Sequence, residues 1–341
     1  MAAAAARSFP RMTRSLQSRG YATQQQSSSS ALPIAAGLAA LGAGAYFFLG
    51  GSEQPANLKK AEKSVVEATG LKSTPTEGAA TALDPKNFRN FKLKSVLPYN
   101  HDSSRFVFEL PANTDSGLTV ASAVLTRAAN AEDLQDDNGK PVIRPYTPTT
   151  APNTEGVMEF LIKRYENGKM SKHFHGLKPG DELAIKGPIK KIDYKPNTWS
   201  NIGLVVGGSG FTPAWQILQA IDANPEDKTK AKLIFANKTE DDILLRKELE
   251  DMAKRRPGQI ELVFVLDKAA KDFKGETGYV THEMLAKHLP PAGLAEKAKI
   301  FVCGPPPQVN SVAGAKDGMK QGPLKGILAD LGYTESQVFK F

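Results

Sequence analysis

The sequence predicts two folded domains of different class, an antiparallel β-barrel followed by an α/β Rossmann-like sheet, with an N-terminal transmembrane helix ahead of both. Three observations predict this. Residues 87–192 carry hydrophobic residues with a period of two. From Ser200 onward, strand-length apolar runs alternate with helix-length ones. Ala31–Gly50 is twenty residues without a charge. At 341 residues the chain is longer than one average domain, and 40% hydrophobic content is enough to build large cores.

The chain begins with an address. Residues 1–52 contain no acidic residue, and Arg7, Arg11 and Arg14 fall on one face of a helix, with Phe9, Met12 and Leu16 on another. A basic, Ser-rich, acid-free amphipathic start has the composition of a mitochondrial targeting segment, assigned to 1–30, and Arg19–Thr23 looks like a matrix-protease cleavage site. As a helix, Ala31–Gly50 would be about 30 Å long, the thickness of a bilayer's hydrocarbon core. Tyr46, Phe47 and Phe48 would sit at one interface. Residues 51–83 mix Ser, Thr, Pro, Lys and Glu and are expected to be a tether, with one short helix over Leu58–Ala68 as the alternative. The expectation is a single-pass mitochondrial membrane protein, in the outer membrane by preference, with a cleaved intermembrane-space form as the alternative.

Composition excludes several classes. Cys303 is the single cysteine, so there is no intrachain disulfide and no cysteine-built zinc or iron–sulfur site. His173 and His175 lie two apart with no acidic cluster in the adjoining sequence, so no metal is expected. The net charge is +8, but residues 1–81 hold eight Lys/Arg and four Glu, which leaves 36 basic and 32 acidic residues in the rest. That balance suits an acidic protein partner and argues against nucleic acid.

The first domain is expected over 84–194. Strands are read at Phe91–Val96, Arg105–Leu110, Leu118–Thr126, Val142–Thr147, Val157–Tyr165 and Leu183–Lys186. One helix is predicted over Lys169–His175, and the acidic stretch Asn130–Gly139 is a surface loop. Two pieces can carry chemistry. In Arg144-Pro145-Tyr146-Thr147-Pro148 the prolines hold the chain extended, so Arg144 and Tyr146 share a face. A guanidinium suits a pyrophosphate, and a phenol with a threonine hydroxyl suits a polar-edged ring; an edge strand with a surface Arg is the alternative. Gly168-Lys169-Met170-Ser171 opens the helix, either as an anion site or as a plain cap.

The second domain is expected over 198–341. Ile202–Val206 is a strand that runs into Gly207-Gly208-Ser209-Gly210, and Thr212–Ala223 a helix. Strands at Ala231–Phe235, Ile260–Leu266 and Lys299–Cys303 follow. Helices are read from an Asp241 or Asp242 cap to Lys254, over Thr281–His288, and over Pro307–Gln321. The glycine-rich turn lacks the third glycine of the usual dinucleotide pattern, with Pro213 in that place. A second special turn, Cys303-Gly304-Pro305-Pro306-Pro307, follows another strand on the same sheet edge, where open α/β sheets bind ligands. Asp267 ends a strand, where a carboxylate can take ribose hydroxyls and repel a 2′-phosphate; a turn aspartate is the alternative.

With these motifs in order, residues 85–341 resemble the ferredoxin-reductase-like flavoenzymes, and among them the NADH–cytochrome b5 reductase family of fungal mitochondrial type. The resemblance rests on Arg144–Pro148, Gly168–Ser171, Gly207–Pro213, Cys303–Pro307 and the closing Val338-Phe339-Lys340-Phe341. It implies an FAD-binding barrel, an NADH-binding α/β domain, and electron transfer from NADH through FAD to cytochrome b5 or a similar acidic haem protein. Arg144 would hold the FAD pyrophosphate, and Tyr146 and Thr147 the ribityl chain and ring edge. Ile162, Lys163 and Tyr165 would line a second FAD strand, and Gly168, Lys169, Met170 and Ser171 the pyrophosphate. Gly207, Gly208, Ser209 and Gly210 would admit NADH, with Thr212 beside the flavin. Asp267 would favour NADH. Cys303, Gly304 and Pro305 would border the nicotinamide, and Phe341 would close the chain near the centre. Thr147, Thr212 and Cys303 are the expected residues nearest the reacting rings, with Cys303 in a steric role. Gln308 departs from the Met common in animal members. Lys169, Lys172, Lys190 and Lys191 are candidates for docking, and the protein is expected to be a monomer. Two other readings are an NADPH-dependent reductase of another one-electron carrier and a non-catalytic nucleotide-sensing membrane module.

Overall fold

The computed structural model describes residues 80–341. The targeting segment, the transmembrane helix and residues 51–79 of the tether lie outside them. Among the described residues no helix is long and apolar enough to cross a membrane. The folded body starts earlier than expected. Strand β1 (Ala80–Thr81) pairs in parallel with β4 (Thr114–Asp115), and the adjoining Ala82 and Leu83 are buried. These four residues therefore belong to the body and not to the tether.

Six antiparallel strands form the first lobe: β2 (Arg89–Pro98), β3 (Ser103–Glu109), β5 (Ser122–Ala128), β6 (Arg144–Tyr146), β7 (Val157–Lys163) and β8 (Glu182–Lys190), in spatial order β6-β5-β8-β2-β3-β7. The period of two puts Phe91, Leu93, Phe106, Phe108 and Phe160 on the inner face. The edges β6 and β7 share no strand ladder. Thr149, just past β6, links them: its N–H donates to Glu159 O at 2.8 Å and its hydroxyl to Glu159 Oε1 at 2.8 Å. Helix α1 (Lys169–Gly176) packs on the barrel core through Phe174, which meets the rings of Phe106 and Tyr146 edge-on at 5.4 and 5.1 Å. The strand expected from Leu118 begins only at Ser122, because Ala121 sits at φ 60, outside strand geometry.

The second lobe is a parallel sheet of β9 (Asn201–Gly207), β10 (Lys230–Asn237), β11 (Ile260–Leu266), β12 (Glu276–Thr277), β13 (Ala298–Cys303) and β14 (Val338–Lys340), ordered β12-β11-β10-β9-β13-β14. Helices α2 (Thr212–Ala223), α3 (Arg246–Arg255), α4 (His282–His288), α5 (Pro306–Ala313) and α6 (Ile327–Asp330) cover its faces. Leu204 and Val206 point into one core and Val205 into the other. Burial on both faces is why these strands read as continuous apolar runs and the barrel strands as alternating ones. Strand order reverses at β9, so the turns after β9 and β13 form the crevice where such sheets take ligands.

Two helix expectations need correction. Thr239, and not an aspartate, caps the turn after β10. It forms a capping box in which Asp242 reaches back to the Thr239 N–H at 3.0 Å, and the α-helix starts only at Arg246. The helix expected over Pro307–Gln321 stops at Ala313. Gly314 turns the chain at φ 79, and the buried ammonium of Lys340 takes the carbonyls of Ala313, Gly314 and Ala315, each at 3.3 Å.

Candidate functional site: a cleft between the two lobes

A cleft of about 2100 Å³ runs between the lobes. The barrel contributes Arg144, Tyr146, Lys163, Tyr165 and Gly168–Ser171. The sheet contributes Gly207, Gly208, Ser209, Asp267 and Pro305. Two separate stretches of the chain, one in each lobe, thus form one wall and its opposite.

On the barrel side, Pro145 holds β6 extended, and the exposed Arg144 guanidinium donates to its own Ile143 O at 2.8 Å. The Tyr146 ring stands against Phe174, and burial pushes its hydroxyl up to about 12, so it remains a neutral donor. Helix α1 begins beside them. Gly168 is required there, because a Cβ would lie 2.3 Å from Ser171 Oγ. That hydroxyl accepts from Tyr165 N at 3.1 Å and donates to Gly168 O at 3.0 Å. Ser171 is therefore spent on shaping the turn, and no side chain caps the first N–H groups of the helix. Lys169 pairs with Asp137 at 2.6 Å, so the acidic loop lies across the anion site.

On the sheet side, the two special turns touch. A Cβ on Gly210 would lie 2.7 Å from Gly304 N and 2.8 Å from Cys303 O, so only glycine lets the turns approach. Gly208 adopts φ 50. Thr212 opens α2, and its hydroxyl donates to Ser209 O at 3.4 Å. Desolvation pushes the thiol of the half-buried Cys303 up to about 12, which leaves it protonated. Phe341 stacks on Phe301 at 5.7 Å, and its N–H donates to Val302 O at 3.0 Å. Thr147, Ile162, Gly210, Thr212, Cys303, Gly304 and Phe341 are not among the residues lining the cleft. Ile162 and Met170 are buried in the barrel core, which leaves only their backbone for a ligand.

Lys163 differs most from its expected role. Its ammonium is held by Asp102 and, at 2.8 Å, by Asp242 of the other lobe. Burial opposes its charge, but these two partners outweigh it and hold the lysine above its ordinary value. Asp242 is held low by the same contact against its own burial. His101 Nε2 lies 3.4 Å from Asp102 and 3.5 Å from Asp242. Sequence spacing gave no sign of this cluster, because its members come from three separate segments. Other links cross the junction: Tyr165 Oη to Ser209 Oγ at 2.7 Å, Arg105 to Glu248 at 2.7 Å, and Leu245 N to Tyr99 Oη at 2.7 Å. Beside Asp267 the cleft is lined by Asn237, Lys238 and the 82% exposed Tyr279, none of which sequence reasoning singled out.

The residues fit the groups implied. Arg144, Lys169 and the start of α1 line the same wall, with Tyr146 beside them, and offer the positive charge and N–H donors that a pyrophosphate takes. At Gly208 the turn after β9 leaves its backbone open to the cleft for a second nucleotide.

Residues 90–194 match the oxidoreductase FAD-binding domain and residues 204–313 the oxidoreductase NAD-binding domain. NADH-cytochrome b5 reductase 2 of Mycosarcoma maydis is 49% identical over 329 residues, covering 95% of this chain and 93% of its own. The NADH-cytochrome b5 reductase-like protein of Arabidopsis thaliana is 40% identical over 94% of each chain. Among solved structures, the cytochrome b5 reductase domain of Ulva prolifera nitrate reductase superposes with a TM-score of 0.66 at 29% identity, over 77% of this chain and 100% of that one.

Proposed function

The chain belongs to the NADH-cytochrome b5 reductase family, and from that premise we propose that it passes electrons from NADH through FAD, one at a time, to cytochrome b5 at a mitochondrial membrane. It is an FAD- and NADH-dependent oxidoreductase. The observation that carries the reading is the single cleft whose opposite walls are the Arg144–Ser171 face of the barrel and the Gly207–Asp267 edge of the sheet.

Bound FAD supplies the chemistry that lets a two-electron donor serve a one-electron acceptor. The protein supplies position. Arg144 and Lys169 neutralise the diphosphate, and Tyr146, neutral and fixed against Phe174, donates a hydrogen bond from one direction only. Gly208, where an added Cβ would meet only Tyr165 Oη at 3.8 Å, lets a nicotinamide nucleotide approach the backbone, while Gly210 lets the two turns pack together behind it. Asp267 addresses its adenosine ribose and disfavours a 2′-phosphate. The thiol of Cys303, protonated and packed behind the turn, takes no proton and forms no bond. These site roles follow from the family resemblance and the positions described above.

The acid-free N-terminus and the uncharged run Ala31–Gly50 support a mitochondrial anchor, with residues 51–79 as the tether. The mildly basic body supports an acidic haem protein as acceptor. Among the candidate docking lysines, Lys169 and Lys190 are paired with Asp137 and Asp193, leaving Lys172 and Lys191 as the stronger ones. The test is the visible spectrum of the purified protein and its change with NADH, followed by turnover with cytochrome b5. A flavin spectrum that bleaches with NADH and recovers as the haem is reduced is expected. A protein that stays colourless and inactive after reconstitution with FAD would overturn the reading.

A further inference from the structure

Five buried side-chain nitrogen or oxygen atoms have no hydrogen-bond partner among the described residues, and three of them belong to two amides that line the cleft, Asn237 and Gln308. Folded chains pair their buried polar groups almost without exception, so this concentration points to a ligand that completes them. Asn237 is 7% exposed, and both its Nδ2 and its Oδ1 are unpartnered. It ends β10 in register with Leu266, and its carbonyl accepts the Asp267 N–H at 3.0 Å. Gln308 lies on the other side of the glycine turn: a Cβ on Gly207 would meet its Oε1 at 2.0 Å, and one on Gly304 would meet it at 3.2 Å. The two amides therefore bracket the Gly207 turn.

We propose that Asn237 and Gln308 are specificity-determining residues that grip the sugar–phosphate spine of NADH on either side of Gly207, Asn237 at the adenosine ribose and Gln308 at the diphosphate. The proposal rests on the reading of this cleft as the NADH site. The chemistry of the orphaned atoms assigns the two ends. A phosphate only accepts hydrogen bonds, whereas a hydroxyl both donates and accepts. Asn237 has a free donor and a free acceptor, which a ribose diol satisfies together, and it stands next to Asp267. Gln308 has a free Nε2 donor, which suits a phosphate oxygen beside the glycine turn.

The signature is a pair of effects with opposite sign. Removing an unpaired buried amide relieves the protein of a desolvated polar group, whereas a ligand that used the amide is weakened. Asn237→Leu is expected to raise the melting temperature by about 2 °C. It should raise the KM for NADH about tenfold, with kcat and flavin retention within twofold of the parent. An amide with a purely structural role would lower the melting temperature, and one satisfied by water alone would leave KM unchanged; either result overturns the proposal. The second measurement uses the 3′-deoxyadenosine analogue of NADH. The parent should lose about tenfold in kcat/KM with it, and Asn237→Leu should lose almost nothing further. Losses that multiply would refute the ribose contact. Gln308→Met should raise the KM for NADH about threefold or more, and an unchanged KM removes it. If Asn237→Leu does not fold, Asn237→Ala carries the same KM and analogue tests. A parent protein that binds FAD but never oxidises NADH would refute the underlying reading, whereas a parent that turns over NADH while both amide variants match it refutes this proposal alone.

Discussion

The indole Nε1 of Trp215 donates to the carbonyl of Thr149 at 3.0 Å, joining the helix behind the sheet's glycine turn to the segment behind the barrel's Arg144–Pro148 motif. The next residue repeats the link. Gln216 donates to Pro148 O at 3.0 Å and accepts from Ser122 N at 3.1 Å, all of it buried. The two walls of the cleft are thus fixed to each other one layer beneath the surface that would meet the cofactors.

Gln216→Leu removes two buried bonds and strands the Pro148 carbonyl and the Ser122 N–H away from water. Each stranded group costs about 1–3 kcal/mol. Urea unfolding should show a loss of about 2–5 kcal/mol, and the KM for NADH should rise because the walls lose their register. A variant as stable as the parent would mean that water or a backbone shift replaces the bonds.

The diphosphate cradle predicts two changes of opposite sign. Arg144→Ala should release FAD on dialysis, read as loss of flavin absorbance. Asp137→Asn should tighten FAD, since the carboxylate now holding Lys169 competes with the diphosphate. Asp137 is 94% exposed, and exposed pairs contribute only about 0.2–1 kcal/mol, so the gain should not exceed about fivefold. Weaker FAD binding by Asp137→Asn would show that the acidic loop supports the site.

The Lys163–Asp242 pair sets a pH window for the junction of the lobes. Asp242 lies below its ordinary value of 3.8, so its contribution is complete above that value and is lost as pH falls through the depressed folded value. Lys163 lies above its ordinary 10.5, so its contribution is complete below that value and is lost as pH rises through the raised one. Stability against pH should therefore show an acid limb that Asp242→Asn flattens. An acid limb identical in the variant would assign it to other carboxylates.

Most of the architecture could be read from the sequence because the signals were local. The change of hydrophobic period at Ser200, Thr212–Ala223 and Ile260–Leu266 were all visible in short windows, and the structure reproduces the last two with the same bounds. The failures have long-range causes. Gly314 is a local stop after Ala313, but nothing near it shows that Lys340, twenty-seven positions on, takes the carbonyls at that helix end. The ion pairs of Lys163, which lines the cleft, could not be read either, because Asp102 and Asp242 are brought to it by different segments. The cleft itself was legible as motifs. Its orphaned amides were not, since Asn237 looks in sequence like any polar residue at a strand end.

The half-buried Cys303 gives a chemical prediction. Alkylating agents attack the thiolate, and burial raises the folded thiol from 9.0 up to about 12. Between pH 7 and 9 the native protein should react with iodoacetamide far more slowly than the urea-unfolded chain, which has the same single cysteine. Equal rates would mean that the turn after β13 opens freely.

The last prediction concerns the choice of nucleotide. Asn237 and Leu266 are partners in register, so the next pair along, Lys238 and Asp267, stands side by side at the adenosine end of the cleft, which both line. Their charges act oppositely on a 2′-phosphate: the carboxylate repels it and the exposed ammonium attracts it. Asp267→Ala should therefore narrow the NADH-over-NADPH ratio of kcat/KM by roughly tenfold or more, and Lys238→Gln should widen it by less, because solvent screens an exposed lysine. Both variants should keep FAD and ferricyanide turnover at saturating NADH, since neither residue touches the barrel's cradle. If Asp267→Ala leaves the ratio unchanged, the carboxylate does not face the adenosine ribose, and the dinucleotide runs through the cleft by another path.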